Sequence, residues 1–244
     1  MSIITAKFRT VKNVLVVSDL HEPYAHKDAY SFLKAVADKI APDIVINVGD
    51  EVDYHALSRY EKDPDLYSSG YEYAAAKRKL DELEKIFPKM KIARSNHGER
   101  YVKAATMKAG IPRDMLKTEQ ELYNKKHWEW AGSHSLTTNC GIVRFVHGTS
   151  PDATKYAIQC GHSIVQGHFH NSLNVGWVNT RYQHLFGMTV GCLTDPTSYA
   201  VAYAKEAKFA QMLGCGVLIN GEPQIIRMEL NKNGRWSSKI NLIS

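Results

Sequence analysis

Five short clusters of carboxylate, amide and imidazole side chains punctuate this 244-residue chain: Asp19-Leu20-His21, Gly49-Asp50, Asn96-His97, His147-Gly148 and Gly167-His168-Phe169-His170. Imidazole and carboxylate together accept Mn, Fe, Zn or Ni, and thiolates, which would select zinc or copper(I), are absent from these motifs. One carboxylate can bridge two divalent ions about 3.5–4 Å apart, an arrangement that stabilises both the attacking and the leaving oxygen of a phosphoryl displacement. Residues two apart in an extended segment point to the same side. Asp19 with His21, and His168 with His170, can therefore converge on one cluster.

The segments before these clusters read as strands. Residues 11–18 form an apolar, β-branched run that ends at Asp19, residues 43–48 form a second run before Gly49-Asp50, and residues 89–94 form a third. Between them, residues 27–40 place Tyr30, Leu33, Val36, Ala37 and Ile40 near a 3.6 period, and residues 71–87 do the same with Tyr73, Ala76, Leu80, Leu83 and Phe87. Pro42 and Pro88 close the two helices. Strand, helix, strand, helix, strand at this spacing predicts parallel βαβ units and an α/β fold. Open sheets of that kind build their sites in the crevice outside the carboxyl ends of the strands, where these clusters stand.

The second half changes character. Residues 100–126 read as mainly helical, interrupted at Gly110-Ile111-Pro112. Strand-like pieces follow at 141–146, 163–166, 188–190, 216–220 and 224–230, with helical stretches near 152–160 and 198–210. Asn220-Gly221-Glu222-Pro223 between two apolar runs is a hairpin signal. Trp128 and Trp130 alternate as one buried strand face would, and core packing is a better reading than base stacking. No repeat or linker divides the chain, so one domain over residues 1–244 with two sheets is expected.

Taken in order, the clusters resemble the calcineurin-like metallophosphoesterase superfamily, and Gly191-Cys192-Leu193-Thr194-Asp195 resembles a stretch after the last metal motif in some of its phage and bacterial members. The family pattern D-x-H, G-D-x-x-D, G-N-H-[DE], H-G, G-H-x-H is matched by Asp19-Leu20-His21, Gly49-Asp50-Glu51-Val52-Asp53, Ser95-Asn96-His97-Gly98-Glu99, His147-Gly148 and Gly167-His168-Phe169-His170. The resemblance implies a two-sheet sandwich in α/β/β/α layers. It further implies one metal on Asp19, His21 and His170, a second on Asn96, His147 and His168, and Asp50 bridging the pair. His97 would act on the leaving-group oxygen without binding metal, and a metal-bound hydroxide would attack the phosphorus directly. Manganese is the expected ion, with Fe, Ni, Zn and Mg compatible.

Two positions depart from the family pattern. Ser95 replaces the glycine before the amide. Gly98 stands where the acid that orients the histidine belongs, with Glu99 one residue later. Either Glu99 reaches round or another group serves His97. Asp53 allows two readings, a hydrogen bond behind a metal ligand or the N-cap of a following helix, and the N-cap is the favoured one. Tyr24, His26, Tyr54, His55 and Arg100 lie close enough to the motifs to approach a substrate, although a surface or core role is the simpler reading for each.

Hydrophobic residues make up 44% of the chain and charged residues 23%, a balance that excludes a disordered or fibrous protein. No apolar run approaches a membrane span, and the first twenty residues carry no secretory h-region, so a cytoplasmic location is expected. The four cysteines form no C-x-x-C pair and read as reduced core residues. Net charge is +6, with 14 basic against 7 acidic groups in residues 77–126. Their interleaving at helical spacing favours a solvated helical pair over a phosphate-binding face. The expected partner is a phosphate ester, with a nucleotide or nucleic-acid phosphodiester modestly favoured by the net charge. The rival functions are a phosphomonoesterase acting on nucleotides or phosphoproteins, and an inactive scaffold of the same fold.

Overall fold

The computed structural model describes residues 10–58, 67–181, 183–198 and 210–242. Strand β1 (Val14–Val17) shows how the layers arise. All four of its side chains are buried, because its two faces are both covered. Val14 and Val16 join Ile46, Val143, Phe145, Phe186 and Met188 between the two sheets. Leu15 and Val17 face the opposite way, into a cluster with Phe32, Leu33 and Val36 of helix α1 (Ala29–Ile40) and Ala76, Leu80 and Leu83 of α2 (Ser69–Ile86). The period-2 alternation of a strand thus divides one apolar run between two cores.

The first sheet has the order β11-β10-β1-β2-β3-β4. Strands β1, β2 (Ile44–Asn47), β3 (Met90–Ala93) and β4 (Trp128–Ala131) are parallel. The second sheet has the order β5-β6-β7-β9-β8. In it β6 (Gly141–Val146), β7 (Ser163–Gln166) and β9 (His184–Val190) are parallel, flanked by antiparallel β5 (His134–Thr138) and β8 (Leu173–Asn179). Between residues 94 and 127 the chain runs through α3 (Arg100–Lys103), a π-helical turn (Ala104–Lys108), a 3-10 turn (Arg113–Met115) and α4 (Glu119–Tyr123), so the expected helix is four short pieces. Helix α5 (Ala153–Cys160) covers the outer face of the second sheet through Ala157, Val146 and Ile164. The layers are α/β/β/α, as the resemblance implies.

Strands β10 (Gly214–Ile219) and β11 (Glu222–Arg227) form the anticipated hairpin, with Asn220 and Gly221 both at positive φ. Pro223 is tolerated because β11 lies at the sheet edge. Trp128 is fully buried and Trp130 packs against the same core, which is the packing role read from their alternation. Strands β5 and β8 are absent from the sequence-based reading. The helical stretch expected near 198–210 lies almost wholly outside the described residues. All four cysteines are free, but only Cys192 and Cys215 are buried; Cys140 and Cys160 are half-exposed.

Candidate metal centre

Because β1, β2 and β3 are parallel, as are β6 and β7, their carboxyl ends fall on one edge of the sandwich. Asp19 follows β1, Asp50 follows β2, Asn96 and His97 follow β3, His147 follows β6, and His168 and His170 follow β7. The loops are laced together by backbone hydrogen bonds: Asp19 N–H donates to Gly49 O (3.0 Å), His21 N–H to Asp50 O (2.8 Å) and Gly167 N–H to His147 O (2.9 Å). Asp19, His21, Asp50 and His168 all hold positive φ, between 48° and 68°. Non-glycine residues rarely adopt that region, and its use marks a backbone over-determined by its surroundings.

Three groups of ligating atoms result, each with its members within 4.8 Å of one another: Asp19, His21 and His170; Asp50, His147 and His168; and, across the two, His21, Asp50 and His97. Nε2 of His21 lies 3.2 Å from Nε2 of His170, and Nε2 of His147 lies 3.1 Å from Nδ1 of His168. Asn96 Oδ1 is 2.7 Å from Nε2 of His147. Between the groups, Asp50 Oδ2 stands 3.5 Å from Nε2 of His21 and 3.2 Å from Nε2 of His147. All seven residues expected to bind metal are therefore together, with Asp50 in the middle.

The far side of each ring fixes which nitrogen faces inward. His147 donates from Nδ1 to Val48 O (3.0 Å), and His21 donates from Nδ1 to Asp53 Oδ1 (2.7 Å). Both leave Nε2 directed at the centre, the arrangement that orients metal-binding imidazoles. Paired lone-pair atoms aimed at a common point, on imidazole and carboxylate groups with no thiolate, fit hard-to-borderline divalent ions. The Nε2 position of His21 or His147 can take a proton or a cation.

The electrostatics follow from that geometry. Burial alone would lower the His21 pKa, but hydrogen bonds to Asp19 and Asp53 and the Asp50 charge overcome it and raise it to about 10. Burial works against His147 in the same way, and Asp50 and Asp19 lift it to about 9. For Asp19, Asp50 and Asp53, burial would push the carboxyl up, yet the surrounding imidazoles hold all three below the ordinary range. His168 goes down, through burial and then the His147 charge.

Asp53 is not the N-cap that its position in the sequence suggests. The 3-10 turn after it (His55–Leu57) is preceded by Tyr54, without a side-chain cap. Fully buried, Asp53 accepts at Oδ1 from Nδ1 of His21 (2.7 Å); Nδ1 of His97 lies 2.8 Å from the same oxygen and donates to the Asp53 backbone carbonyl (3.0 Å). Glu99 points away, to Lys103 (3.4 Å) and Arg113 (3.5 Å). The acid serving His97 is thus Asp53, the last residue of the Gly49–Asp53 motif. Nε2 of His97 faces Nη2 of Arg100 at 2.9 Å, and Arg100 also donates from Nη1 to Asp53 O (2.9 Å). Arg100 therefore sits against the cluster rather than on a surface carboxylate. Tyr54 is buried against Tyr123 and His26 meets Gly234 O, so neither approaches the centre. Tyr24 stacks on Tyr67.

Two cavities open at this edge. One, of 820 Å³, is lined by Asn96, His147 and His168 and extends to Arg144 and Tyr156. The other, of 470 Å³, runs from Asn96 past Arg100 to Met107 and Lys108. A third, of 970 Å³, lies at the opposite ends of β2 and β3, away from every ligating group named above. Among the described residues no helix is long and apolar enough to cross a membrane.

No family model matches the sequence, and no curated protein matches it. Solved structures do. Vacuolar protein sorting 29 from Cryptosporidium parvum superposes with a TM-score of 0.50 at 13% identity, covering 96% of each chain. Vps29 from Chaetomium thermophilum gives 0.49 at 11% identity, again over 96% of each. Yfce, a phosphoesterase from E. coli, gives 0.45 at 13% identity over 93% of this chain and 97% of that one. The chain has the calcineurin-like metallophosphoesterase fold.

Proposed function

We propose that this chain, one domain over residues 1–244, is a cytoplasmic, binuclear, metal-dependent phosphoesterase, with manganese as its working ion and a nucleotide or nucleic-acid phosphodiester as its substrate. The observation that carries the reading is Asp50 Oδ2, one carboxylate oxygen set between His21 and His147 at 3.5 and 3.2 Å. Asp19, His21 and His170 would hold one ion, and Asn96, His147 and His168 the other. Bound there, the ions supply an acidified water as nucleophile and Lewis-acid polarisation of the phosphoryl oxygens.

The protein's own groups do the rest. Asp53 holds the His97 ring by Nδ1, so Nε2 is the atom presented to the substrate. The Arg100 guanidinium beside it adds a fixed positive charge and donors. In the structure Nε2 accepts from Arg100, so a shift of the guanidinium onto the substrate would free that nitrogen to carry a proton, and the two groups would then stabilise charge growing on the departing oxygen. A scaffold has no use for an intact set of seven ligands, which favours catalysis.

The test is hydrolysis of bis-p-nitrophenyl phosphate and of p-nitrophenyl phosphate under Mn, with Asp50→Ala and His168→Ala as variants. Diester turnover should exceed monoester turnover, and both variants should fold yet lose activity and bound metal. Full metal-dependent activity in both variants overturns the assignment. A wild-type protein that binds no metal and cleaves neither ester restores the scaffold reading.

A further inference from the structure

The two cavities at the metal-centre edge share Asn96 and Lys103 as a common wall, so whatever is bound at Asn96 can extend into both. Six cations line them: Arg94, Arg113 and Arg144 in the larger, Arg100 and Lys108 in the smaller, and Lys103 in both. Their carboxylate partners are fewer. Glu119 neutralises Arg94 through a two-pronged contact at 2.6 and 3.1 Å. Glu99 is shared between Lys103 and Arg113, and Asp53, already engaged by two imidazoles, is the acid nearest Arg100. Arg144 rises from β6 and donates only to Ser133 Oγ (3.1 Å), without a carboxylate among the described residues. The cavities keep a positive surplus on both sides of the centre.

Apolar surface is interleaved with these charges. Leu57, Ala104 and Met107 line the smaller cavity, and Val146 and the half-exposed Tyr156 the larger. Alternating charge and apolar surface matches a chain in which phosphates alternate with nucleosides, the bases stacking on aromatic or apolar side chains. A phosphoprotein or a mononucleotide would leave one cavity's cations without a partner.

We propose that the double cavity binds phosphates on both sides of the scissile one, making the substrate an oligonucleotide strand with Arg144 and Lys108 gripping flanking phosphates. The proposal rests on the phosphoesterase reading for which phosphate is central, and its test separates the two.

Binding of labelled single strands of about 2 to 12 nucleotides, a range spanning typical single-strand site sizes, is measured by fluorescence anisotropy in EDTA, so that no cleavage intervenes. Affinity should rise with length and fall with salt, with a log–log slope steeper than about −2 for three or more phosphate contacts. Arg144→Gln and Lys108→Gln should each flatten that slope by about 0.7. If Arg144→Gln does not fold, Arg144→Lys and the wild-type length series decide. Equal affinity for a mononucleotide, equal competition by inorganic tripolyphosphate, or unchanged slopes in both variants overturns the proposal. Mn-dependent cleavage of bis-p-nitrophenyl phosphate without length-dependent binding removes this inference alone. Length-dependent binding without any cleavage removes the catalytic reading and leaves a nucleic-acid-binding protein.

Discussion

Nδ1 of His97 lies 2.8 Å from Oδ1 of Asp53 and donates to the Asp53 backbone carbonyl at 3.0 Å, while the same Oδ1 accepts from Nδ1 of His21 at 2.7 Å. One buried carboxylate therefore orients a proposed metal ligand and the proposed leaving-group histidine at once, so the two rings cannot be tuned independently. Their edge-to-face contact, with ring centroids 4.5 Å apart, leaves neither much freedom to turn.

Asp53→Asn keeps the shape but offers these rings a weaker acceptor or, with the amide turned, a donor. Loss of such an outer partner costs about 10–100-fold in activity or metal affinity. Both should fall, measured by Mn titration and by bis-p-nitrophenyl phosphate turnover. Glu99→Gln should cost far less; a larger loss from Glu99→Gln would reassign the orienting acid.

Metal-free protein should lose stability at alkaline pH. The folded-state pKa values of His21 and His147, about 10 and about 9, stand above the ordinary 6.5. Their contribution is complete below pH 6.5 and is lost as pH rises through 9 and 10. Asp19, Asp50 and Asp53 are displaced downward, so their contribution is present above 3.8 and lost only on strong acidification. Thermal melts in EDTA should show a falling Tm above about pH 8, and Mn, which binds the deprotonated rings, should widen its advantage there. Parallel curves with and without metal would contradict this.

Glu22 offers a second pH test. Burial lifts its carboxyl to about 7 despite the Tyr30 hydroxyl that donates to it, and its other oxygen has no partner. A raised carboxyl pKa means that stability declines as pH climbs from 4.5 towards 7. Glu22→Gln should remove part of that decline, raising Tm at pH 8 and leaving it nearly unchanged at pH 4.5. An equal effect at both pH values would show that the charge is not responsible.

Gly167 precedes His168 at a close crossing. A Cβ there would stand 1.9 Å from Ser18 Oγ and 2.4 Å from Asp19 Oδ2. Gly167→Ala should destabilise the protein by about 1–3 kcal/mol, the range for overpacking, and displace Asp19, so that Tm and metal content fall together. Wild-type metal content would show that the crossing gives way elsewhere.

Much of the fold was legible because each signal was local. Runs such as 43–48 are apolar on both faces, since a buried parallel strand meets a core on each side. Strand β8 was not legible, and Gly176 is part of the reason. A Cβ on Gly176 would lie 2.2 Å from Thr154 Oγ1, and one on its cross-strand partner Gly187 would lie 2.2 Å from the α5 backbone. Helix α5 needs that close approach, and the glycines that permit it weaken the strand pattern. Strand β5 alternates exposed and half-buried residues with little apolar content, as an edge allows.

The same division runs through the basic segment. Lys77 and Lys79 pair with nearby acids on α2, as a solvated face would, while Lys125 is buried against Asp81 and Glu84 of the same helix. Arg94, Arg100, Lys103, Lys108 and Arg113 line the cavities instead. Helical spacing alone could not separate the two sets, because the 94–127 stretch breaks into short turns that aim its side chains at the site.

The sequence by itself determined the donor chemistry and the order of the ligands, because each ligand stands directly after a strand whose apolar run declares it. Only the tertiary structure decided that Asp53 rather than Glu99 serves His97, and which cations border the centre. Those pairings are made across loops that follow different strands. Their distances depend on how the strands and the two sheets pack, and spacing along the chain carries no information about that.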